Sequence, residues 1–303
     1  MKCVVFSEDA KSALELVSVA KHLGADDIVA VQFDAESAEV VAKSGVDGVV
    51  VAKVAAGALR ESAASVVAAE ARKAESAVVL VSASRRMVNA AAIVAGELGT
   101  VPIVDVKAIA DGAASHIKFG GKAIVSEKPV GDYVVLVVAS GTFEAAAADG
   151  APCAISGVDA PGIHGAHVVE RREKTASSVD LTAAKRIVCI GRGVDTREGF
   201  DLCVDLKKAI GAEMGCTRPV AETNEPLMPR ETYIGASGVT VKPELFIGVA
   251  ASGQAQHTMG MYESGTVVVI DKNKDALFFN SCDYGIVGDY AEIVPAITKA
   301  LNA

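Results

Sequence analysis

Residues 245–290 read LFIGVAASGQAQHTMGMYESGTVVVIDKNKDALFFNSCDYGIVGDY. An apolar run gives way to a small polar turn, a short helical pattern and a second apolar run. A buried strand that ends in Ala250, Ala251, Ser252 and Gly253 and leads into a helix beginning near Gln254 leaves backbone N–H groups pointing outward, ready for an anion. This is the arrangement of a phosphate site at the end of a strand, although neither a P-loop nor a GxGxxG fingerprint is spelled out.

The rest of the chain fits an α/β setting for this stretch. Its 303 residues suggest about two domains at the usual 100–200 residues each. Hydrophobic residues make up 51%, aromatics only 4%, and Trp is absent, so the core must be built from Val, Ala, Ile and Leu. Val-rich runs of this kind favour strands buried on both faces, as in parallel sheets. A net charge of −9 without a basic tract excludes nucleic acid as the main partner, because phosphate backbones need clustered Lys or Arg. The start, MKCVVFSEDAK, has too short an apolar run for a secretory signal, and no stretch is apolar enough to insert in a membrane, so a cytoplasmic location is expected. The six cysteines are scattered without a CxxC pair, which indicates neither a metal site nor a disulfide framework; Cys3 and Cys189, in expected strands, read as reduced core thiols.

Strand and helix signals alternate through the first half: strands at 2–6, 28–33, 49–52, 77–82 and 101–106, and helices at 10–23, 35–44, 59–74 and 86–98. From about Ser115 the pattern changes to short strands joined by turns, with Gly120-Gly121 as a hairpin or bulge, which predicts an antiparallel extension on one edge of the sheet. The charged, Ser/Thr-rich segment 170–184 is the best linker, giving domains at 1–169 and 185–303. The second domain restarts with a strand at 186–190, a helix at 197–210, a Pro-bearing polar loop, strands at 245–249 and 266–270 and a last helix at 289–301. The fold class is therefore α/β with two doubly wound domains, the first with the antiparallel extension and the second Rossmann-like.

Several residues after strand ends carry binding chemistry. Arg192 sits between Gly191 and Gly193, where a close backbone approach and a fixed cation suit a pyrophosphate, or where a glycine turn holds a solvated arginine. Thr217 and Arg218, stiffened by Pro219, offer a hydroxyl and a permanent charge, against the alternative of a loop salt bridge. Ser237 and Gly238 lie in the loop YIGASG, and Ser252, Gly253, Gln254, Gln256 and His257 follow the central strand; His257 is either a ligand contact or a helix-start histidine bonded to nearby backbone. Asp271, Asp289 and Tyr290 close the domain, with N-capping as the competing role for Asp289. No Ser–His–Asp triad, metal cluster or nucleophile–base pair is evident, which points to a cofactor that carries the chemistry.

Taken in order, GRG, CTRPV, IGASG, VAASGQAQHTMGM, VIDKNKD and DYGIVGDY resemble the alpha subunit of electron transfer flavoproteins, and KFGGKAIVSEKPVGDYVVLVVASGTFEAA is similar to the FixB-like branch. The resemblance covers the whole chain. It implies FAD in the C-terminal domain and a heterodimer completed by a beta subunit. It also implies electron transport between a dehydrogenase, of the acyl-CoA type used in fatty acid β-oxidation, and a quinone oxidoreductase or other acceptor. Carried over by motif, Arg192, Ser252, Gly253 and Gln256 would serve the pyrophosphate and ribityl chain, Arg218 would lie over the isoalloxazine and raise its potential, and Thr217, Ser237 and Gly238 would approach the flavin edge. His257 would face the pyrimidine carbonyl, Asp271 would lie near the cofactor, and Asp289 and Tyr290 would sit near the adenosine. Three departures from the family pattern stand out: Ala236 and Ser237 for the usual QT of VGQTG, Asp271 for asparagine, and AETNEP after CTRPV. The alternative they motivate is an adenine-nucleotide-binding regulatory or scaffold protein that has lost FAD. An NAD(P) dehydrogenase is disfavoured by the missing GxGxxG.

Overall fold

The computed structural model describes residues 1–119, 123–162, 166–171, 180–223 and 227–302. The chain divides into two compact units, Met1–Arg171 and Arg172–Ala303. Gly120-Gly121, His164, Pro226 and the middle of the expected linker lie outside the described residues.

In the N-terminal unit, β1 (Lys2–Phe6), α1 (Ala10–His22), β2 (Asp27–Gln32), α2 (Ala35–Val41), β3 (Gly48–Val54), α3 (Ala64–Ala71), β4 (Ala77–Ser82) and α4 (Arg85–Leu98) alternate as the periodicity predicts. They are followed by β5 (Pro102–Val106), β6 (Ala108–Ala110), β7 (Ala113–Lys118), β8 (Ala123–Glu127), β9 (Tyr133–Val138) and β10 (Ala154–Ala160). The main sheet has the order β10-β3-β2-β1-β4-β9-β5, with every neighbouring pair parallel. Alternation along β1 explains why both faces are apolar: Cys3 and Val5 enter the core under α1, while Val4 and Phe6 enter the core with α3 and α4. Asp9, Asp34 and Ser84 start helices by accepting a backbone N–H, and Gly99, at φ 70°, ends α4 in the left-handed conformation.

Some details of this unit differ from the sequence expectation, among them Tyr133–Val138, which joins the parallel sheet as β9 and not the antiparallel group. The antiparallel strands form their own sheet, β6-β7-β8, instead of extending the edge of the parallel one. The turn after β5 separates them, with Lys107 N–H donating to the Ser115 carbonyl at 2.8 Å. Also, β10 pairs with β3 along its whole length although no strand was expected there. Its side chains are largely exposed, so the apolar signal that marks an interior strand is missing.

The C-terminal unit contains β11 (Arg186–Ile190), α5 (Arg197–Ile210), β12 (Glu213–Cys216), the single turn α6 (Arg218–Ala221), β13 (Leu245–Val249), the single turn α7 (Ala255–Thr258), β14 (Thr266–Asp271), β15 (Tyr284–Val287) and α8 (Tyr290–Leu301). The sheet is parallel, in the order β12-β11-β13-β14-β15. One face packs Val188 and Ile190 against α5 and α8 residues such as Leu206 and Val294. The other packs Ile187, Cys189 and Phe246 against Phe278 and Leu181. Leu181 is 2% exposed, so the end of the expected linker is built into this core.

Candidate functional site

In an open parallel sheet, ligands bind at the carboxyl ends of strands where the winding reverses. In the C-terminal unit that point lies between β11 and β13, since the chain runs from β11 outward to β12 and then returns to β13 on the other side. The ends of these two strands nearly touch. A Cβ added to Gly191 would lie 2.1 Å from the Ala250 carbonyl oxygen, and one on Gly193 would lie 2.9 Å from the Ala250 Cβ, so only glycine permits the crossing. Gly193 N–H donates to the Ala250 carbonyl at 3.2 Å, and Ala250 N–H donates to Ile270 at 2.8 Å. Pinned on both sides, Ala250 adopts φ 50°, a left-handed conformation that costs about 1–3 kcal/mol in a non-glycine residue.

Above this crossing is a cavity of about 790 Å³. Arg192, Thr217, Arg218, Ser237, Ser252, Gly253, Gln256, His257 and Asp271 all line it. The turn after β13 supplies its floor: Gly253 takes φ 73°, where any Cβ would lie 2.3 Å from the Phe278 amide nitrogen. Among the described residues, the amides of Ser252, Gly253 and Gln254 have no hydrogen-bond partner. Because α7 is only one turn, these loop amides, not a long helix dipole, are the anion-receptive feature. The loop after β12 forms the opposite wall. Ala236 N–H donates to the Gln256 carbonyl at 2.7 Å, and Tyr233 donates its hydroxyl hydrogen to Ser237. Thr217 is buried at the start of α6, its N–H donating to Ile190 at 2.9 Å. Asp271 accepts from Asn273 N–H at 2.8 Å in a local turn.

His257 has its ring turned inward. Its Nδ1 lies 2.9 Å from the Ile234 carbonyl and its Nε2 3.9 Å from the Cys189 sulfur, and its ring clusters with those of Phe246 and Phe278. Burial pushes its pKa down, partly offset by the bond to Ile234. The structure does not bring three of the sequence-derived residues to the cavity wall. Gly238 packs under Tyr233, where a Cβ would meet the Tyr233 carbonyl at 2.3 Å. Asp289 caps α8 by accepting from Ala291 N–H at 2.9 Å. Tyr290 rests its hydroxyl over Gly199 of α5. Glu222 and Tyr233, which line the cavity, carried no separate signal in the sequence reading, although Glu222 stands four residues after Arg218, the spacing of a helical ion pair.

The N-terminal unit has its own switch point, between β1 and β4, and it is filled by the chain. Glu8, just past β1, accepts from the Ser84 hydroxyl and pairs with Arg86 at the start of α4. A smaller cavity of about 460 Å³ lies by the ends of β2 and β3, where Arg60 stacks 5.0 Å from the Phe33 ring.

A sheet crevice walled by glycines, unpartnered amides and two arginines defines a nucleotide-cofactor protein of the α/β class. Residues 5–162 match the electron transfer flavoprotein domain, and residues 180–262 match the electron transfer flavoprotein FAD-binding domain. The proteins named Protein FixB from Escherichia coli K12 and from Shigella flexneri are each 41% identical to this chain over 213 residues, spanning 69% of this chain and 66% of the relative. The chain belongs to the electron transfer flavoprotein family, as an alpha subunit of the FixB-like kind whose cofactor is FAD. The cavity fits that cofactor: an anionic diphosphate requires cations and free N–H donors, and the close approach of its backbone cradle requires Gly191, Gly193 and Gly253.

Proposed function

We propose that this chain holds FAD in the β11–β13 crevice and, completed by a beta subunit, passes electrons between a dehydrogenase and an acceptor. The observation that carries the reading is the glycine crossing beneath Arg192 and Arg218, with the Ser252–Gln254 amides free. FAD supplies the redox chemistry when bound. The chain's own residues bind and tune it. Arg192 and the Ser252–Gln254 turn take the diphosphate, with Ser252 and Gln256 as side-chain donors and Gly253 keeping the turn close. Thr217, Arg218 and Ser237 face the ring system and Asp271 lies near the cofactor, while Asp289 and Tyr290, which stand off the cavity wall, are left with capping and packing roles.

Reactive side chains near the site are kept quiet, which suits a carrier without a substrate of its own. Cys189 and Cys216 are buried, and desolvation raises both thiols, that of Cys216 to about 11, so they stay protonated. His257 is held neutral, its ring locked against Ile234. The beta subunit is supported by the exposed cross-strand pair Ile117 and Ile124, together with Phe119, on the small antiparallel sheet. The donor we assign is a dehydrogenase of the acyl-CoA type and the acceptor a quinone oxidoreductase or another acceptor, with the assembly working in the cytoplasm; among the described residues no helix is long and apolar enough to cross a membrane.

Co-purification with the beta subunit and a visible spectrum test the proposal. Flavin bands at near-equimolar occupancy, bleached by an acyl-CoA dehydrogenase with its substrate, are expected. A colourless complex that refuses added FAD would sink the reading and favour the nucleotide-binding scaffold.

A further inference from the structure

We infer that Glu222 is a positioning and charge-setting residue for Arg218, and that through Arg218 it lowers the potential of the flavin; this rests on the FAD reading above. The geometry is specific. After Thr217, the single turn α6 places Glu222 four residues beyond Arg218, on the same side of the helix. Arg218 donates through Nε to Glu222 Oε2 at 2.6 Å, and Arg230 Nη2 forms an ion pair with Glu222 Oε1 at 3.1 Å. One carboxylate therefore bridges two guanidinium groups, one from α6 and one from the turn before Tyr233. Glu222 itself lines the cavity and its side chain is 28% exposed, against 60% for Arg218.

Two consequences follow. A bond through Nε fixes the plane of the guanidinium while leaving its terminal amino groups outside that bond, so the fork is pre-oriented at little further entropic cost. The carboxylate also discounts the positive charge: Arg218 and Glu222 together are neutral, and only the addition of Arg230 leaves the trio at one positive charge. The mutual pull is visible in both partners, since the bond to Glu222 raises the Arg218 pKa and the same bond lowers that of Glu222. In open solvent such a pair is screened. A flat ring system covering the cavity excludes water from it, and the balance of charge then acts directly on the reduction of that ring.

The test is the midpoint potential of FAD in the complex with the beta subunit, measured against a reference dye for wild type, Arg218→Ala, Glu222→Gln and Arg230→Gln. Glu222→Gln keeps an acceptor for Nε and removes the negative charge, so it should shift the reduced-to-oxidised ratio at fixed potential at least tenfold toward reduction, which is about 30 mV for a two-electron couple. Arg230→Gln, which leaves the carboxylate wholly on Arg218, should shift it the other way and gives a second readout if the glutamine variant does not retain FAD. A Glu222→Gln potential equal to wild type, with Arg218→Ala displaced, would overturn the inference. An unmoved Arg218→Ala would instead overturn the placement of Arg218 beside the flavin.

Discussion

The two units use the same kind of parallel sheet and treat its switch point in opposite ways. Between β1 and β4 the chain places its own carboxylate, Glu8, against Ser84 and Arg86, so an internal anion occupies the approach to α4. Among the described residues no such plug lies between β11 and β13. The strand ends cross on glycines, the Ser252–Gln254 amides stay unpartnered, and arginines border an open cavity. Under the proposed reading, the fold offers the crevice in both units while a few residues at the strand ends decide whether it can receive a ligand.

The largest effect should come from the core beneath the site. Phe278 is fully buried, packs on Phe246 and His257, and lies over Gly248, where a Cβ would approach its ring to 2.6 Å. Phe278→Ala should cost about 3–5 kcal/mol of the C-terminal unit's stability, the usual range for an emptied aromatic site. Calorimetry should show a lowered transition for that unit alone. A single shifted transition for both units would break the separation between them.

Gly191→Ala probes the crossing directly. Its methyl cannot coexist with Ala250, so FAD retention should weaken at least tenfold, about 1.4 kcal/mol, when measured by equilibrium dialysis of the complex. Retention at the wild-type level would show that the crossing is not the cradle.

A third effect depends on pH. The buried ring of His257 has a pKa below that of the unfolded chain, so below about pH 6.5 the folded state binds fewer protons than the unfolded one. Stability from this group is full above that value and declines below it until the folded pKa is passed. Urea unfolding at pH 7.5 and 5.5 should show the decline, and His257→Gln should flatten it. An unchanged slope in the variant would assign the loss to other groups.

The smallest effect concerns the plug. Glu8 and Arg86 are partly exposed, at 21% and 44%, so Glu8→Gln should cost less than about 1 kcal/mol and leave FAD content untouched. A drop in FAD content would tie the two switch points together and remove the contrast.

Much of this was legible in the sequence, for physical reasons that can be named. The Val-rich runs and the 3.6-residue periodicities gave the βα alternation because interior parallel strands are apolar on both faces. β10 escaped because its exposed side chains carry no such signal, and β12 because Glu213–Cys216 is short and includes Gly215. The polar turn Ser252–His257 was visible as a binding stretch, but the direction of the His257 ring was not, since Phe246 and Phe278, which hold it, are distant in the chain. For Asp289 the competing N-capping role, a local one, is the one the structure shows, whereas the packing of Tyr290 on Gly199 depends on a contact with another helix. Glu222 needed the one-turn helix α6 to bring it beneath Arg218.

The central claim is that the ligand goes to one switch point and not to the other. Hydrogen exchange of the complex with and without FAD tests it most directly. The account predicts slowed exchange on FAD binding at residues 191–193 and 252–254, with no change at residues 7–9 and 84–86. Protection confined to the β1–β4 ends, or absent from the Ser252–Gln254 amides, would contradict it.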